Sequence, residues 1–425
     1  MIAVTEREFP FAFLHLAFPR GARLDPPGKE GLHYLAGQMI LRGARGRSHE
    51  AFVDALEGLG ASLEIHVGRD HTTLAGDTLT ESSREFFALL RDSLLAPNLE
   101  PVELDRLRRQ TLAELEERRD NDEELAQHLF NQALLRPDPG ARPVTGTPES
   151  LARITTADIL EVLPTIFARD GLVIGGAGDI DEAVMEAELG AAVLPLKTTT
   201  VRTPAWSRTL PEGVQVWLID KPERSQTQIF AGHPAPSIHH PDYDALVVAN
   251  AIFGGTFTAR LSHEIREKRG WSYGAYSSYT TSKESGSFWL RYYPAKKDAV
   301  AALALGLELL ETFVAEGPTD AEVAFAKSYL GNQLAFRSET PSKRLGERIQ
   351  NALLGLPEDA LERHLAAVAR LTREEIHRAI REHLRPKNLA VVIVCTADEL
   401  REPIEALSAV TRVTVVPYTA DFLPH

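Results

Sequence analysis

Arg266 and Tyr273 are two hydrogen-bond donors whose types suit the stabilisation of negative charge. They lie seven residues apart, with Gly270 and Trp271 between them at a predicted helix-to-strand turn, and the tyrosine is predicted to start the strand. A guanidinium and a phenol can together stabilise an oxygen on which negative charge develops during a reaction. The spacing alone favours a simpler interpretation, because basic residues before a helix-ending glycine favour the helix dipole and are often only solvated.

Other candidate residues lack the partners that their chemistry needs. His66 and His71 flank a predicted hairpin turn and have no recognisable third metal ligand in the sequence. The His239-His240 pair precedes Pro241-Asp242-Tyr243, a predicted loop that leads into a helix. We interpret all four histidines as non-functional. The Gly254-Gly255 pair lacks the lysine of a P-loop and the fingerprint of a dinucleotide site, so close packing of a turn is the favoured interpretation.

The segment Ala249–Ser278 carries the strongest resemblance to a known family. It reads ANAIFGGTFTARLSHEIREKRGWSYGAYSS, which is similar to the second-domain motif N-x-I-L-G-G-G-x-x-S-R-L-x-x-E-I-R-E-K-R-G-L-A-Y-S-V of bacterial M16 (pitrilysin-type) zinc peptidases. In that family, an arginine and a tyrosine at the positions of Arg266 and Tyr273 hold the substrate backbone near the zinc ion of the facing domain. The resemblance therefore implies a catalytic role for this pair.

The segment Pro27–Ala44 resembles the zinc-binding helix of the same family without its metal ligands. It reads PGKEGLHYLAGQMILRGA, where the family has roughly G-L-A-H-F-L-E-H-M-L-F-K-G-T. The alignment places Tyr34 and Gln38 at the two histidines and Gly37 at the glutamate that activates water. Tyrosine, glutamine and glycine replace the imidazoles that bind zinc and the carboxylate that accepts a proton. A shift by one residue brings in His33 but does not restore the other two positions.

The third zinc ligand of the family is a glutamate on a later helix. The corresponding segment, Gln110–Ala126, reads QTLAELEERRDNDEELA and aligns Ala113 with that glutamate. Glu114 is the neighbouring residue, but adjacent helical residues point in different directions. The four positions Tyr34, Gly37, Gln38 and Ala113 therefore predict a degenerate site that binds no metal.

The surrounding sequence predicts both strands and helices. Alternating apolar residues predict strands at Phe9–Phe18, Ser62–Val67 and Ser287–Tyr293. Apolar residues spaced three or four apart predict long helices at Val102–Glu117 and Asp298–Glu316. Hairpins and helices that occur in clusters indicate an α+β fold.

The chain repeats itself once. Three pairs of matching residues are separated by the same number of positions: Pro101 and Pro318, Thr155 and Thr372, and Leu172 and Leu389. The differences 318 − 101, 372 − 155 and 389 − 172 all equal 217. We predict an N-terminal domain at residues 1–195, an extended linker rich in threonine and proline at 196–211, and a C-terminal domain at 212–425. The M16 resemblance implies the same duplication, with an antiparallel β-sheet covered by α-helices in each domain.

Composition limits the possible partners and compartments. The formal net charge of −14 over 425 residues disfavours a nucleic-acid partner, which requires basic patches. The single cysteine, Cys395, lies after an apolar run and indicates a buried strand position rather than a disulfide. We find no signal sequence or long apolar run, so we expect a cytoplasmic protein without a membrane partner.

The resemblance implies a division of labour between two proteins. Heterodimeric bacterial M16 peptidases pair a zinc-bearing subunit with one that carries the arginine and tyrosine, and this chain resembles the latter. We therefore expect no zinc-dependent activity from the chain alone, a homologous partner with an intact His-x-x-Glu-His motif and its zinc, and a peptide substrate. An isolated chain could instead pair with a second copy. The alternative is a purely structural or peptide-holding subunit, like the non-proteolytic M16-like core proteins of respiratory complexes.

Overall fold

A computed structural model describes residues 1–199, 205, 207–333 and 340–424 of the chain. Two β-sheets organise these residues, and each sheet belongs to its own compact unit. The strands of sheet 1 are β1 (Ile2–Thr5), β2 (Phe11–Phe18), β3 (Ser62–Val67), β4 (Thr72–Leu79) and β5 (Val173–Gly178). The strands of sheet 2 are β6 (Val214–Asp220), β7 (Gln228–Ala235), β8 (Ala275–Thr281), β9 (Gly286–Tyr292), β10 (Leu389–Cys395) and β11 (Val410–Pro417).

The two sheets share one strand order. Sheet 1 runs β1-β5-β2-β4-β3, and sheet 2 runs β6-β10-β7-β9-β8 with β11 added beside β6. Strands β2 and β7 begin at residues 11 and 228, so they repeat the offset of 217. The two halves therefore repeat the same topology, which confirms the duplicated α+β fold.

The sheets are mixed, not antiparallel as expected. Strand β1 pairs in parallel with β5, and β6 pairs in parallel with both β10 and β11. The remaining neighbours in each sheet are antiparallel. Helices and the other strands of the same sheet lie between the strands that pair in parallel, so the chain returns to the same end of the sheet before each parallel pair forms.

Helices flank the sheets along the whole described chain. The helices of the first half are α1 (Leu32–Met39), α2 (His49–Gly58), α3 (Ser83–Leu95), α4 (Pro101–Asp120), α5 (Asp122–Leu135), α6 (Pro148–Arg153), α7 (Thr156–Ile166) and α8 (Glu182–Val193). Those of the second half are α9 (Tyr243–Asn250), α10 (Arg260–Ser262), α11 (Ala299–Glu316), α12 (Asp320–Gln333), α13 (Pro341–Leu354), α14 (Ala360–Arg370), α15 (Arg373–His383) and α16 (Ala397–Glu405).

Each compact unit contains one helix from the other half of the sequence. Residues 1–115, 142–205 and 335–358 form unit 1, and residues 116–141, 206–334 and 359–425 form unit 2. Helix α13 packs Leu345 and Ile349 against sheet 1, while α5 packs Leu129 and Phe130 against sheet 2. These helices are counterparts in the repeat, since 341 − 122 and 354 − 135 both equal 219. The predicted linker at 196–211 lies partly outside the described residues.

One stretch in unit 2 is apolar enough to cross a membrane. By length and composition, Tyr243–Glu267 meets this condition, but 67% of its most apolar window is buried inside the protein. Its buried side chains, such as Leu246, Phe253 and Ile265, join the core between α9 and sheet 2. This is the pattern of the core helix of a folded domain.

Candidate functional site

Arg266 lies in a widened helical turn of unit 2. Helix α9 continues into a π-helical turn at Ala251–Gly255, and α10 continues into a second one at His263–Glu267. The amide of Lys268 donates to the carbonyl of His263 at 2.9 Å, five residues back, which is the hydrogen bond that defines such a turn. Turns of this kind often mark functional sites because they re-aim the side chains that they carry.

Two aromatic rings hold the Arg266 guanidinium. Its Cζ atom lies 4.0 Å from the ring centroid of Phe257 and 5.8 Å from that of Tyr273. Within the described part of the chain, this guanidinium has no hydrogen bond or ion pair. Its N–H donors are therefore available to a ligand.

The two basic neighbours of Arg266 are bound elsewhere. Lys268 donates to Glu264 at 2.5 Å, and Arg269 donates to the same carboxylate at 2.7 Å. These two hydrogen bonds hold the pKa of Glu264 below its usual value against the opposing effect of burial. Lys268 and Arg269 thus fit the interpretation as helix-end residues, whereas Arg266 does not.

Tyr273 projects from the turn that joins this helix to sheet 2. Gly270 has a φ of 64°, and its amide donates to the carbonyl of Arg266 at 3.0 Å, which ends the helix in the left-handed conformation that glycine favours. Ser272 fixes the following turn by donating to the carbonyl of Gly274 at 2.6 Å. The Tyr273 side chain is 83% exposed. Strand β8 begins only at Ala275, so the prediction that Tyr273 starts the strand was wrong.

Phe257 is a member of this cluster that the sequence did not reveal. It lies between the two π-helical turns and is 67% exposed, which is unusual for a phenylalanine. Gly254 fixes the first turn against the sheet, because a Cβ atom there would lie 2.4 Å from the backbone nitrogen of Ser277. The structure therefore brings Phe257, Arg266 and Tyr273 together on the surface of unit 2.

Three of the four degenerate positions lie on α1, and two of them, Tyr34 and Gln38, hydrogen-bond to protein groups. The side-chain amide of Gln38 donates to the carbonyl of Ile65 in the edge strand β3, at 3.2 Å. Gly37 is buried, and a Cβ atom there would lie 2.8 Å from Cγ2 of Val67. Strand β3 thus leaves little room for a glutamate at position 37.

Glu114, rather than Ala113, is the residue of α4 that faces this group. The Tyr34 hydroxyl donates to Oε2 of Glu114 at 3.2 Å, and Gln110 donates to Oε1 of Glu114 at 3.1 Å. Ala113 is exposed instead. One carboxylate therefore survives beside Tyr34, but a phenol and a carboxamide occupy the positions where zinc would need imidazoles.

The neighbouring histidine of α1 has a structural partner. His33 is buried, and its Nδ1 lies 2.6 Å from Oδ1 of Asp25. Asp25 also accepts the amides of Gly31 at 2.8 Å and of His33 at 2.9 Å. This carboxylate fixes the start of α1 and holds the His33 ring through Nδ1.

Two family models match most of the chain. The model for the insulinase family (peptidase family M16) matches residues 2–148, and the model for the peptidase M16 inactive domain matches residues 153–330. The chain belongs to peptidase family M16. Within this M16 chain, the degenerate positions fall in the first match, and Arg266 and Tyr273 fall in the second.

Relatives of the M16 chain include a protein named as a non-peptidase homologue and uncharacterised proteins named as zinc proteases. The non-peptidase homologue YmxG of Helicobacter pylori is 26% identical over 389 residues, which cover 91% of this chain and 89% of the relative. A Bacillus subtilis protein named as a zinc protease, also YmxG, is 21% identical over 79% of this chain and 81% of its own length.

Solved structures of M16 proteins share the fold. A peptidase M16 inactive domain from Pseudomonas fluorescens superposes with a TM-score of 0.84 at 26% identity, covering 92% of this chain and 94% of that chain. A protease from H. pylori superposes with a TM-score of 0.83 at 17% identity, over 92% and 96% of the two chains. The non-peptidase relative and the inactive-domain structure support an inactive, M16-like subunit, whereas the second structure shows the fold alone.

Proposed function

We propose that this chain is the non-catalytic subunit of a heterodimeric M16 metallopeptidase. In this proposal, a homologous partner with an intact His-x-x-Glu-His motif binds the zinc ion, and this chain supplies Arg266 and Tyr273 to the partner's active site. The observation that carries the proposal is the Arg266 guanidinium, which is held by two ring faces and left without an anionic partner among the described residues.

The pair suits the chemistry of peptide hydrolysis. Zinc in the partner would activate water and polarise the scissile carbonyl. The attacked carbonyl oxygen becomes negatively charged, and the Arg266 guanidinium and the Tyr273 phenol are donors that can stabilise it or orient the peptide backbone. Stacking on Phe257 orients the guanidinium and leaves its N–H donors available, whereas a salt bridge would occupy some of them.

Unit 1 supports the absence of independent catalysis. Tyr34 and Gln38 each donate a hydrogen bond to a protein acceptor, and Gly37 offers no group that can accept a proton. A functional zinc peptidase site needs both metal ligands and a general base. The proposal therefore places no zinc at these positions.

Hydrolysis by the isolated chain is the first test. The chain should be purified alone, supplied with Zn²⁺, and incubated with fluorescently quenched unfolded casein. We expect no hydrolysis above that of a heat-denatured sample. Hydrolysis that EDTA abolishes and Zn²⁺ restores would overturn the proposal, because the chain would then carry its own catalytic metal.

Substitution of the pair in the assembled complex is the second test. A zinc-bearing homologue that co-purifies with the chain should be reconstituted with wild-type, Arg266→Ala or Tyr273→Phe chains. Loss of one such donor typically lowers the rate about 10²- to 10³-fold, so we expect losses of this order with complex formation unchanged. Lys268→Ala is the matched control, since Lys268 lies on the same helix but bonds to Glu264.

The same experiment separates the architectural alternative. If the Arg266→Ala and Tyr273→Phe complexes assemble and turn over at the wild-type rate, the chain is a scaffold or a peptide-holding subunit. If no zinc-bearing homologue co-purifies, and size-exclusion chromatography shows only a homodimer, the heterodimer itself is rejected.

A further inference from the structure

We propose that His240, Asp242 and His383 form a binding site for a divalent cation of the Zn²⁺ type in unit 2. One ligand atom from each of these residues lies within 4.8 Å of the others. The set consists of two imidazoles and one carboxylate, which are ligands that Zn²⁺ and similar borderline cations prefer. This site is separate from the degenerate positions on α1, and it does not depend on the proposed function.

The fold brings the three residues together from distant parts of the sequence. His240 and Asp242 lie in the loop before α9, and His383 is the last residue of α15. Asp242 and His383 are 141 residues apart, as 383 − 242 shows. The sequence therefore shows His240 and Asp242 close together, and the remaining ligand, His383, becomes visible only in the folded chain.

The distances are close to those of a coordination shell. Nε2 of His383 lies 2.8 Å from Oδ2 of Asp242, and Nδ1 of His240 lies 4.0 Å from the same oxygen. Ligand atoms around a tetrahedral zinc ion are about 3.3 Å apart, given zinc-nitrogen bonds of about 2.0 to 2.1 Å. Small side-chain rotations would therefore equalise the separations. His240 is the least buried of the three, with 37% of its side chain exposed, so it has room to move.

The local charges favour a cation. Asp242 is buried, and its carboxylate accepts hydrogen bonds from Arg378 and His383. Arg378 is the facing positive group, and it donates to both carboxylate oxygens of Asp242, from Nη2 to Oδ1 and from Nη1 to Oδ2 at 3.3 Å. Nη1 also donates to Glu382 at 2.7 Å. An ion on Oδ2 would replace the longer Nη1 hydrogen bond, while Arg378 stays on Oδ1 and on Glu382, as outer-shell partners do.

Glu382 supplies a fourth candidate ligand. Its Oε2 lies 4.0 Å from Nε2 of His383, and the Glu382 side chain is more than half exposed. His364 and Asp244 are a further ionisable pair in unit 2, and they hydrogen-bond to each other. With Asp242 and Glu382 negative and Arg378 positive, a dication would enter a site with one net negative charge.

The cation would cross-link the start of α9 to the end of α15 in unit 2. Asp242 precedes α9, whose helical path continues toward the turn that carries Arg266, and His383 ends α15. The amide of Asp242 donates to Nδ1 of His240 at 3.1 Å, so metal binding at that nitrogen would replace this hydrogen bond. An ion that binds only the folded state stabilises it by mass action.

Metal titration of the untagged chain tests the site. The metal-stripped protein should be titrated with Zn²⁺ against a chromophoric chelator, and with Co²⁺ while visible absorption is recorded. We expect one tight equivalent, and an affinity loss of more than about tenfold in His240→Ala and in His383→Gln, because each removes a ligand. The control is His263→Ala, which removes a histidine that lies 2.9 Å from Glu267 on an exposed helix surface.

The outcomes separate a metal site from a salt-bridge network. A thermal midpoint that rises with Zn²⁺ in the wild type but not in folded His240→Ala supports the site. No tight equivalent in the wild type, or equal affinity in the wild type and a His240→Ala/His383→Gln double variant, would leave only a network of Asp242, His383 and Arg378. Because these readouts measure binding and not hydrolysis, they are independent of the test of the proposed function.

Discussion

At the scale of single residues, the main finding is a cationic side chain held by aromatic rings. Arg266 shares its helix with Lys268 and Arg269, and all three look alike in the sequence. In the folded chain, the other two bond to Glu264, and Arg266 packs on Phe257 and Tyr273. Lys268 and Arg269 have a carboxylate partner and are residues of a helix end. Arg266 has none among the described residues, which makes it the candidate catalytic donor.

This arrangement predicts a positioning role for Phe257 in the proposed complex. An exposed cation-π contact contributes about 0.5 to 1 kcal/mol, so Phe257→Ala should lower kcat/KM about two- to fivefold if the contact orients Arg266. Phe257→Trp should retain activity because it keeps the ring face, and Phe257→Leu should not. The matched control is Phe325→Ala, which removes another exposed aromatic residue of unit 2. Equal activity of the alanine, leucine and tryptophan variants would contradict the role.

At the scale of elements, periodicity predicted the strands and helices well. Strand β3 spans Ser62–Val67 as predicted, because alternate residues face the core, and α4 buries Leu104, Leu107, Thr111 and Leu115 as its spacing indicates. The pattern could not show which sheet an apolar helix face covers, so the exchange of α5 and α13 was not foreseen. Nor could it show that Glu114 reaches Tyr34, since a one-residue change in alignment redirects a helical side chain by about a quarter turn.

The packing of α1 against β3 predicts that Gly37 resists substitution. Gly37→Ala places a methyl group 2.8 Å from Cγ2 of Val67 and 3.3 Å from Cδ1 of Ile65. Overpacking of this kind costs about 1 to 3 kcal/mol, which exceeds the helix-propensity gain of about 1 kcal/mol. We expect a lower free energy of unfolding in urea. Gly346→Ala in α13 is the control, because no atom lies within 4 Å of its added Cβ, and it should be neutral or stabilising.

A double-mutant cycle locates the cause of the Gly37 effect. If the clash with Val67 is responsible, Gly37→Ala and Val67→Ala together should destabilise the chain less than the sum of the two single changes. Strict additivity would assign the loss to another contact. The same steric limit means that Tyr34→His, Gly37→Glu and Gln38→His together should not rebuild a zinc site unless β3 moves.

At the scale of the whole molecule, two copies of one topology have kept different residues. Unit 1 has Tyr34 and Gln38, which hydrogen-bond to protein groups, at positions that align with zinc ligands of the family, and unit 2 has the half-buried Arg266 guanidinium beside the exposed Tyr273 phenol. The shared strand order shows that this divergence required no change of architecture. Neither Arg266 nor Tyr273 belongs to a hydrophobic core, so substitutions at these two residues should change folding stability little.

The stability of the whole chain should decrease in mild acid because of buried neutral histidines. His233 is fully buried, and burial lowers its pKa from 6.5 to about 4, although its bond to Pro234 acts in the opposite direction. Nδ1 lies 2.8 Å from the Pro234 carbonyl, and Nε2 accepts the amide of Arg385 at 3.1 Å, so the folded state holds the neutral ring. Burial also lowers the pKa values of His15 and His71.

The direction of these shifts sets the pH window. A histidine with a lowered folded-state pKa contributes full stability above its unfolded value of 6.5 and loses it as the pH falls toward about 4. For His233 the loss approaches about 3 kcal/mol at the low end of that range, at about 1.4 kcal/mol per pKa unit. Urea unfolding between pH 7.5 and 4.5 should therefore show a steeper decline in the wild type than in His233→Gln. Exposed His263→Gln should retain the wild-type slope, and identical slopes for all three proteins would show that His233 does not control acid stability.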